Sequence, residues 1–170
     1  MAELYKKKLG EMLIDGGYIS NEQLNKTLII QKKSDKKLGE LLIEEGFVTE
    51  DDIINVLKDQ LGLSYVDLDK EEIETDAVNL LSESIARRHC LIPIKIDGEN
   101  IIIAMEDPLN IFAVDDVTIY TGKIVKPVIS KGFLIKKYID KYYSRQKAIK
   151  AAEDYIKEYS KENKIEKSSL

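Results

Sequence analysis

The chain has 170 residues, 44% of them hydrophobic, which is enough apolar material for the packed core of one domain or two small ones. Its net charge of -5 argues against binding to DNA or RNA, because general nucleic-acid binding needs a basic face. There is no apolar run of the roughly 18 residues that span a membrane, no signal-peptide pattern, and a single cysteine, Cys90, which excludes an internal disulfide. These features favour a cytoplasmic protein.

Charge is unevenly distributed along the chain. Residues 1–37 contain eight lysines and five acidic residues, so the excess of acidic residues lies in the remaining sequence. The N-terminal part is therefore expected to attract an anion that the rest of the chain would repel.

Two segments near the N-terminus repeat one pattern. Residues 8–31 and 37–60 are identical at nine of 24 aligned positions, with the spacer 32–36 between them. Two copies are too few for a solenoid, which needs about three repeats to be stable. They predict instead a pseudo-twofold pair.

Each copy is predicted to form two helices. Apolar residues at positions 9, 12 and 13, and again at 38, 41 and 42, follow helical spacing. Gly17 and Gly46 stand where a left-handed residue would end the first helix. Ser20 and Thr49 are suitable N-caps for the second helices, which end near positions 31 and 60.

Helix formation does not explain the glycines and glutamines that match between the copies. Gly10 and Gly39 lie in or near a helix start, where glycine costs about 1 kcal/mol relative to alanine. This suggests close backbone approach to another helix or to a ligand, and the sequence leaves both open. Gln31 and Gln60 end the matched segments, where they could belong to the same site.

A duplicated site suits a ligand with two similar halves. Each copy offers a lysine, exposed amides near a helix start and an apolar shelf, which favour a phosphate and a flat base respectively. A symmetric cyclic dinucleotide satisfies this pattern. A dimeric protein helix or a pair of anionic groups satisfies it equally well.

The remaining sequence predicts a small α+β unit of helices on a three-stranded sheet. An extended link at 61–68 is followed by the predicted elements, namely a helix over 76–90, a hairpin over 91–105 that turns at Asp97-Gly98, a helix over 109–121, a strand over 123–130 and a helix over 132–143. The 109–121 helix is expected to bury one stripe, composed of Ile111, Phe112, Val114, Val117 and Ile119 or Tyr120. Pro127 places the third strand at a sheet edge or a bulge.

The tandem pattern, with its basic-Leu-Gly start and its final Leu, Leu and Gln, resembles the MshEN domain. That domain is the N-terminal domain of type II secretion and type IV pilus assembly ATPases. The segment IAMEDPLNIFAVDDVTIYTG at 103–122 is similar to its α/β part, and the resemblance covers roughly residues 4–143. It implies three regions: the tandem helical repeats at 1–62, the α/β part at 63–143, and a linker or tail at 144–170 toward an ATPase motor.

The resemblance also implies binding of cyclic di-GMP, with one guanine–phosphate half at each copy. The contacting residues carried over by position are Lys8, Leu9, Gly10, Leu24, Leu28 and Gln31 in the first copy, Lys37, Leu38, Gly39, Ile53, Leu57 and Gln60 in the second, and Asp107. Asp107 would accept from the N1–H and exocyclic amine of guanine, although a turn or helix cap before Pro108 is an equally good role for it. No intrinsic cofactor or metal is implied.

The sequence departs from the family pattern at the first residue of each copy. Lys8 and Lys37 stand where the family usually has arginine, whose planar guanidinium can grip a guanine edge in a bidentate manner. Losing one such contact costs about 1–3 kcal/mol. Lys6, Lys7 and Lys36 are expected to compensate in part, through charge alone, which makes the predicted binding sensitive to salt.

No enzymatic motif is recognisable in the chain. A G-x-x-x-x-G-K-[ST] sequence is absent, and Arg87, Arg88 and His89 are expected to end a helix, where cations suit its dipole. We therefore expect a cytoplasmic regulatory module, peripheral to an inner-membrane machine, that belongs with a hexameric ATPase motor. The alternative is an adaptor that docks pilus or secretion machinery proteins without binding a nucleotide.

Overall fold

A computed structural model describes residues 7–169 of the chain. The elements in chain order are α1 (Leu9–Asp15), α2 (Asn21–Gln31), α3 (Leu38–Glu44), α4 (Glu50–Leu61), α5 (Thr75–Asn79), α6 (Glu83–His89), β1 (Leu91–Asp97), β2 (Asn100–Met105), α7 (Ile111–Thr121), β3 (Ile124–Ile129) and α8 (Gly132–Ser168). This is the predicted α+β fold, with four short helices from the tandem repeats and a three-stranded sheet.

The repeats form their helices for the predicted reasons. Gly17 and Gly46 follow the ends of α1 and α3 with φ of +76° and +74°, which glycine adopts without steric cost. Ser20 and Thr49 each accept a hydrogen bond from the backbone N–H three residues on, and each cap is completed by a reciprocal bond to its own N–H. Both capping boxes are confirmed.

The four repeat helices interlock across the two copies. Helix α1 packs against α4, and α2 packs against α3, so that each copy buries its apolar face largely against the other. Their core contains Met12, Leu13 and Leu42 and also Ile129, the last residue of β3. The repeats therefore do not form a core separate from the α/β part.

The sheet has the order β1-β2-β3 and is mixed. Strands β1 and β2 form the predicted antiparallel hairpin, while β2 and β3 run parallel and are connected through α7. Pro127 lies in β3 at the edge of the sheet, as predicted. Beside it, the link after α4 contributes an isolated parallel bridge between Tyr65 and Ile129.

Two predicted helices differ from those observed. The single helix expected over 76–90 is two helices, α5 and α6, because the Ser82 hydroxyl accepts from the Ile85 N–H and caps a new helix start. Helix α8 runs without a break from Gly132 to Ser168, through the segment that we expected to end as a linker or frayed tail. No glycine or proline occurs after position 132 to stop it.

The predicted core stripe of α7 is only partly correct. Val114 and Val117 are buried as expected, and they are joined by Ala113. The larger side chains assigned to that stripe are exposed, namely Ile111, Phe112, Ile119 and Tyr120. A face of small residues is what packs on the body of the protein, and the bulky apolar residues face outward.

Candidate functional site

A cleft of about 660 Å³ opens between the repeats and the α/β part. Nine of the thirteen predicted ligand residues line it, namely Lys8, Leu9, Gln31, Lys37, Leu38, Gly39, Ile53, Leu57 and Asp107. Its volume lies within the range of about 300–1,000 Å³ that is usual for small-molecule sites. The structure thus gathers residues that are up to 99 positions apart, from Lys8 to Asp107, around one space.

Gly10 and Leu24 lie behind the cleft wall, against each other. A Cβ atom added to Gly10 would stand 2.6 Å from Leu24 Cδ1 and 3.0 Å from Leu24 Cδ2, closer than carbon atoms approach. The equivalent pair in the second copy is Gly39 and Ile53, where an added Cβ would lie 3.3 Å from Ile53 Cδ1. Both glycines therefore permit close packing within their own repeat, and Gly39 also borders the cleft.

Leu28 and Gln60 lie away from the main cleft. Leu28 borders a second, shallower depression on the outer face of α2, together with Ile29 and Gln31. Gln31 lines both depressions, and its Nε2 donates to the Lys36 carbonyl oxygen at 3.5 Å. Gln60 is exposed near the end of α4, so the matched glutamines occupy different surroundings.

Asp107 has the turn role that the sequence left open, and it also pairs with a lysine of the cleft. Its Oδ1 accepts from the Leu109 N–H at 3.2 Å and so shapes the turn that leads to α7. Its Oδ2 lies 3.4 Å from the ammonium group of Lys37, which stands at the start of the second repeat. Because both side chains are partly exposed, this ion pair contributes little to stability and leaves both groups open to a ligand.

The cleft contains further charges outside the thirteen residues assigned to the ligand, and of these the sequence singled out only Lys7. Lys7 and Lys136 add two cations to Lys8 and Lys37, whereas Glu40, Glu50 and Glu106 add carboxylates. Phe133 and Lys136 come from the start of α8, and no local pattern in the sequence could have connected them to the repeats. Glu106 is different, because it precedes Asp107 directly and the resemblance already pointed to that segment.

An ion pair joins the second repeat to the α/β part beside the cleft, and the link after α4 is hydrogen-bonded to the end of β3. The Lys131 ammonium lies 3.2 Å from Asp51 of α4, and hydrogen bonding to that carboxylate raises the pKa of Lys131. The Val66 N–H donates to the Ile129 carbonyl at 2.9 Å, and the Ile129 N–H donates to the Ser64 carbonyl at 2.8 Å. The second repeat is therefore connected to the α/β part directly by an ion pair and indirectly through the link that follows α4.

The single histidine serves the packing of two helices. His89 Nε2 lies 2.7 Å from Asp116 Oδ2, which joins the end of α6 to α7, and the ring is largely buried. Over residues 7–169 no three His, Cys, Asp or Glu side chains gather in an arrangement that could hold a metal ion. In the same part of the chain, no helix is both long and apolar enough to cross a bilayer.

Comparison with known proteins gives consistent relatives. A type IV pilus assembly ATPase PilB from Myxococcus xanthus is 30% identical over 139 residues, which are 82% of this chain and 25% of that protein. The PilB of Thermus thermophilus is 27% identical over an alignment that includes 92% of this chain and 22% of the relative. The chain thus spans about a quarter of the length of these curated relatives.

Solved structures agree with the sequence relatives. A structure of MshE with cdg (cyclic di-GMP) superposes with a TM-score of 0.74 at 34% identity, and it covers 81% of this chain and 100% of the MshE chain. The N-terminal domain of XpsE has the same fold, with a TM-score of 0.64 at 22% identity over 78% of this chain and 91% of its own. The sequence profile of the MshEN domain matches residues 61–149, more than half of the chain. This chain belongs to the MshEN domain family.

Proposed function

We propose that this domain binds cyclic di-GMP in the cleft between its repeats and its α/β part. The observation that carries the proposal is that nine residues assigned to this ligand from the sequence alone line one cleft of suitable volume. The similarity to MshE, which has been solved with this ligand, supports the same conclusion.

The cleft offers suitable chemistry for each part of a cyclic dinucleotide. Lys8 and Lys37 are the cations for the two phosphates, and both are exposed at the cleft rim. Leu38, Ile53 and Leu57 provide an apolar wall for a base, since flat aromatic rings gain most from burial against apolar side chains. Asp107 accepts from the guanine N1–H and exocyclic amine, and these bonds would select guanine over adenine.

The two halves of the ligand would meet unequal surroundings. The second repeat supplies more of the cleft wall than the first, which supplies Lys8, Leu9 and Gln31. Gln31 also borders the depression that contains Leu28. One guanine would therefore enter the cleft beside Asp107, and the other would lie across Gln31 toward Leu28.

Isothermal titration of the chain with cyclic di-GMP tests the proposal. We expect 1:1 binding that weakens with added salt, because lysines rather than arginines meet the phosphates. Asp107→Asn should weaken cyclic di-GMP binding, while Asp97→Asn, in the distant hairpin, should leave it unchanged. The absence of heat and of any thermal shift at high ligand concentration would remove the proposal.

The regulatory role is part of the same proposal. The curated relatives are pilus assembly ATPases, and ligand binding across the cleft would change how the repeats sit on the α/β part. The domain would thereby pass a cytoplasmic signal to a hexameric motor and to the pilus or secretion machinery. A docking adaptor without nucleotide would be favoured instead if Gly39→Ala left cyclic di-GMP binding unchanged but prevented capture of a machinery protein.

A further inference from the structure

The start of α8 places an aromatic side chain on the cleft wall, where no hydrophobic core requires it. Phe133 is 63% exposed and belongs to neither core of the described residues. The adjacent Leu134 and Ile135 are the side chains that α8 buries in the α/β part. Among the cleft-lining residues within 7–169, Phe133 is the only aromatic one. A large apolar ring left uncovered inside a cleft is typical of a ligand contact.

Phe133 and the apolar residues of the second repeat line the cleft from different parts of the protein. Helix α8 packs on β1, β2 and α6, whereas Leu38 and Ile53 pack on the core of the repeats. A flat base in the cleft could therefore contact Phe133 from the α/β part and the apolar wall from the second repeat. Aromatic stacking suits any nucleobase, because each base has a π face.

Lys136 lies one turn further along α8 and also lines the cleft. It is exposed, and its ammonium group forms no ion pair in the part of the chain that the structure describes. Lys37, by contrast, is engaged by Asp107. A phosphate group could therefore reach Lys136 without displacing a carboxylate.

The charge balance of the cleft depends on Lys136. Over residues 7–169 the cleft lining contains four lysines and four carboxylates, namely Lys7, Lys8, Lys37 and Lys136 against Glu40, Glu50, Glu106 and Asp107. Without Lys136 this lining would carry a net negative charge, which would repel a ligand with two phosphates.

Lys136 and Lys37 lie close to the same side chain. Burial and the carboxylate of Glu106 raise the pKa of the Cys90 thiol, to about 12, whereas the ammonium groups of Lys136 and Lys37 act to lower it. The Cys90 Sγ itself lies 3.8 Å from the carbonyl oxygen of Gly132, the first residue of α8. The cations of α8 and of the second repeat are therefore near enough to serve one anionic group.

We propose that the start of α8 is a third part of the nucleotide site, beside the two repeats. The Phe133 ring stacks on one guanine of cyclic di-GMP, and the Lys136 ammonium binds the phosphate that Lys37 also contacts. This inference rests on the proposed function and adds that the ligand connects the second repeat to α8. Because α8 continues without a break to Ser168, the ligand would contact the helix that runs on from the cleft.

Titration of the whole chain with cyclic di-GMP at low and at high salt tests the assignment. Phe133→Ala should weaken the affinity at least about fivefold at both salt concentrations, the lower limit for losing one base–aromatic stack. Phe133→Tyr keeps the ring and should retain the affinity. Lys136→Gln should weaken the affinity about two- to fivefold at low salt and less at high salt, because salt screens the lost charge interaction.

Two exposed residues outside the cleft lining provide matched controls. Phe112→Ala removes an exposed ring from α7, and Lys137→Gln removes the same charge from the next residue of α8, so both variants should bind as the unaltered chain does. Thermal unfolding establishes that every variant is folded. If the unaltered chain binds but Phe133→Ala binds equally well, or Lys136→Gln loses no more affinity than Lys137→Gln, this inference is wrong and the proposed function stands. If the unaltered chain does not bind, both are wrong.

Discussion

Replacement by alanine should change the stability of the protein differently at the two matched glycines, Gly10 and Gly39. At Gly10 the new Cβ would meet three atoms of Leu24 at 2.6, 3.0 and 3.4 Å, so that side chain must move within a packed region. At Gly39 the nearest atoms are Ile53 Cδ1 at 3.3 Å and Leu9 Cδ2 at 3.5 Å, where a shift of a few tenths of an ångström is sufficient.

The expected difference in the free energy of unfolding between Gly10→Ala and Gly39→Ala follows from two opposing contributions. Overpacking a core position costs about 1–3 kcal/mol, while replacing glycine by alanine in a helix gains up to about 1 kcal/mol. Both glycines are the second residue of a seven-residue helix, so the helical gain largely cancels in the comparison. We expect Gly10→Ala to be less stable than Gly39→Ala by about 1 kcal/mol or more.

Thermal unfolding measures the stability difference, and titration with cyclic di-GMP supplies a second readout. A difference of 1 kcal/mol corresponds to a Tm difference of about 2–4 °C for a domain of this size. Gly39→Ala should weaken binding, because its methyl group borders the cleft, whereas folded Gly10→Ala should retain it. Equal Tm values, or a more stable Gly10→Ala, would refute the packing argument. Equal loss of cyclic di-GMP binding in both variants would refute the assignment of Gly39 to the cleft and of Gly10 to the packing of the first repeat.

Three further expectations follow from the same structure. Asp107→Asn should lower the affinity for cyclic di-GMP by about 1–3 kcal/mol, measured by titration, because the amide replaces one acceptor oxygen with an NH2 donor and can no longer accept from both guanine groups. The Tm of this variant should change little, since the exposed ion pair with Lys37 is weak. Burial raises the pKa of the Cys90 thiol to about 12, so the thiol should resist alkylation at pH 8 until the protein is unfolded. Because the unfolded thiol ionises first, this group should also lower the free energy of unfolding as pH rises from about 9 toward 12, and Cys90→Ala should flatten that slope in urea titrations. Truncation after residue 148 should leave the Tm of the remaining body within about 4 °C of the full chain, because the side chains of residues 149–160 are exposed. A large loss of Tm would show instead that the end of α8 packs on the body.

Local signals in the sequence were sufficient for most of the fold. Gly17, Gly46, Ser20 and Thr49 set the ends of the repeat helices by short-range geometry, and these assignments are confirmed. The hairpin around Gly98 is likewise determined by its turn. The errors occurred where tertiary surroundings decide, because hydrophobicity alone cannot distinguish a buried face of α7 built from Ala113, Val114 and Val117 from an exposed one with larger side chains.

The candidate site was predicted less completely than the fold for the same reason. Position within the repeat identified Lys37, Gly39 and Ile53, and the family resemblance identified Asp107. Phe133 lies far along the chain from all of these, and only the path of β3 into α8 brings it to the cleft. A single sequence does not indicate that residues so far apart along the chain lie close together in the folded protein.

Packing on the α/β part makes the two copies of the repeat structurally different. An isolated pair of identical helical hairpins could present two equal half-sites, but the pair here packs on an α/β part that has no matching symmetry. Ile129 enters the repeat core and Asp51 of the second copy binds Lys131, so the second copy faces the α/β wall. Leu28 of the first copy is left on an outer surface, while its counterpart Leu57 is buried beside the cleft. The two halves of a symmetric ligand would therefore contact different surroundings. Substitutions at matched positions should then cause unequal losses of affinity, and in titrations with cyclic di-GMP we expect a larger loss for Leu57→Ala than for Leu28→Ala.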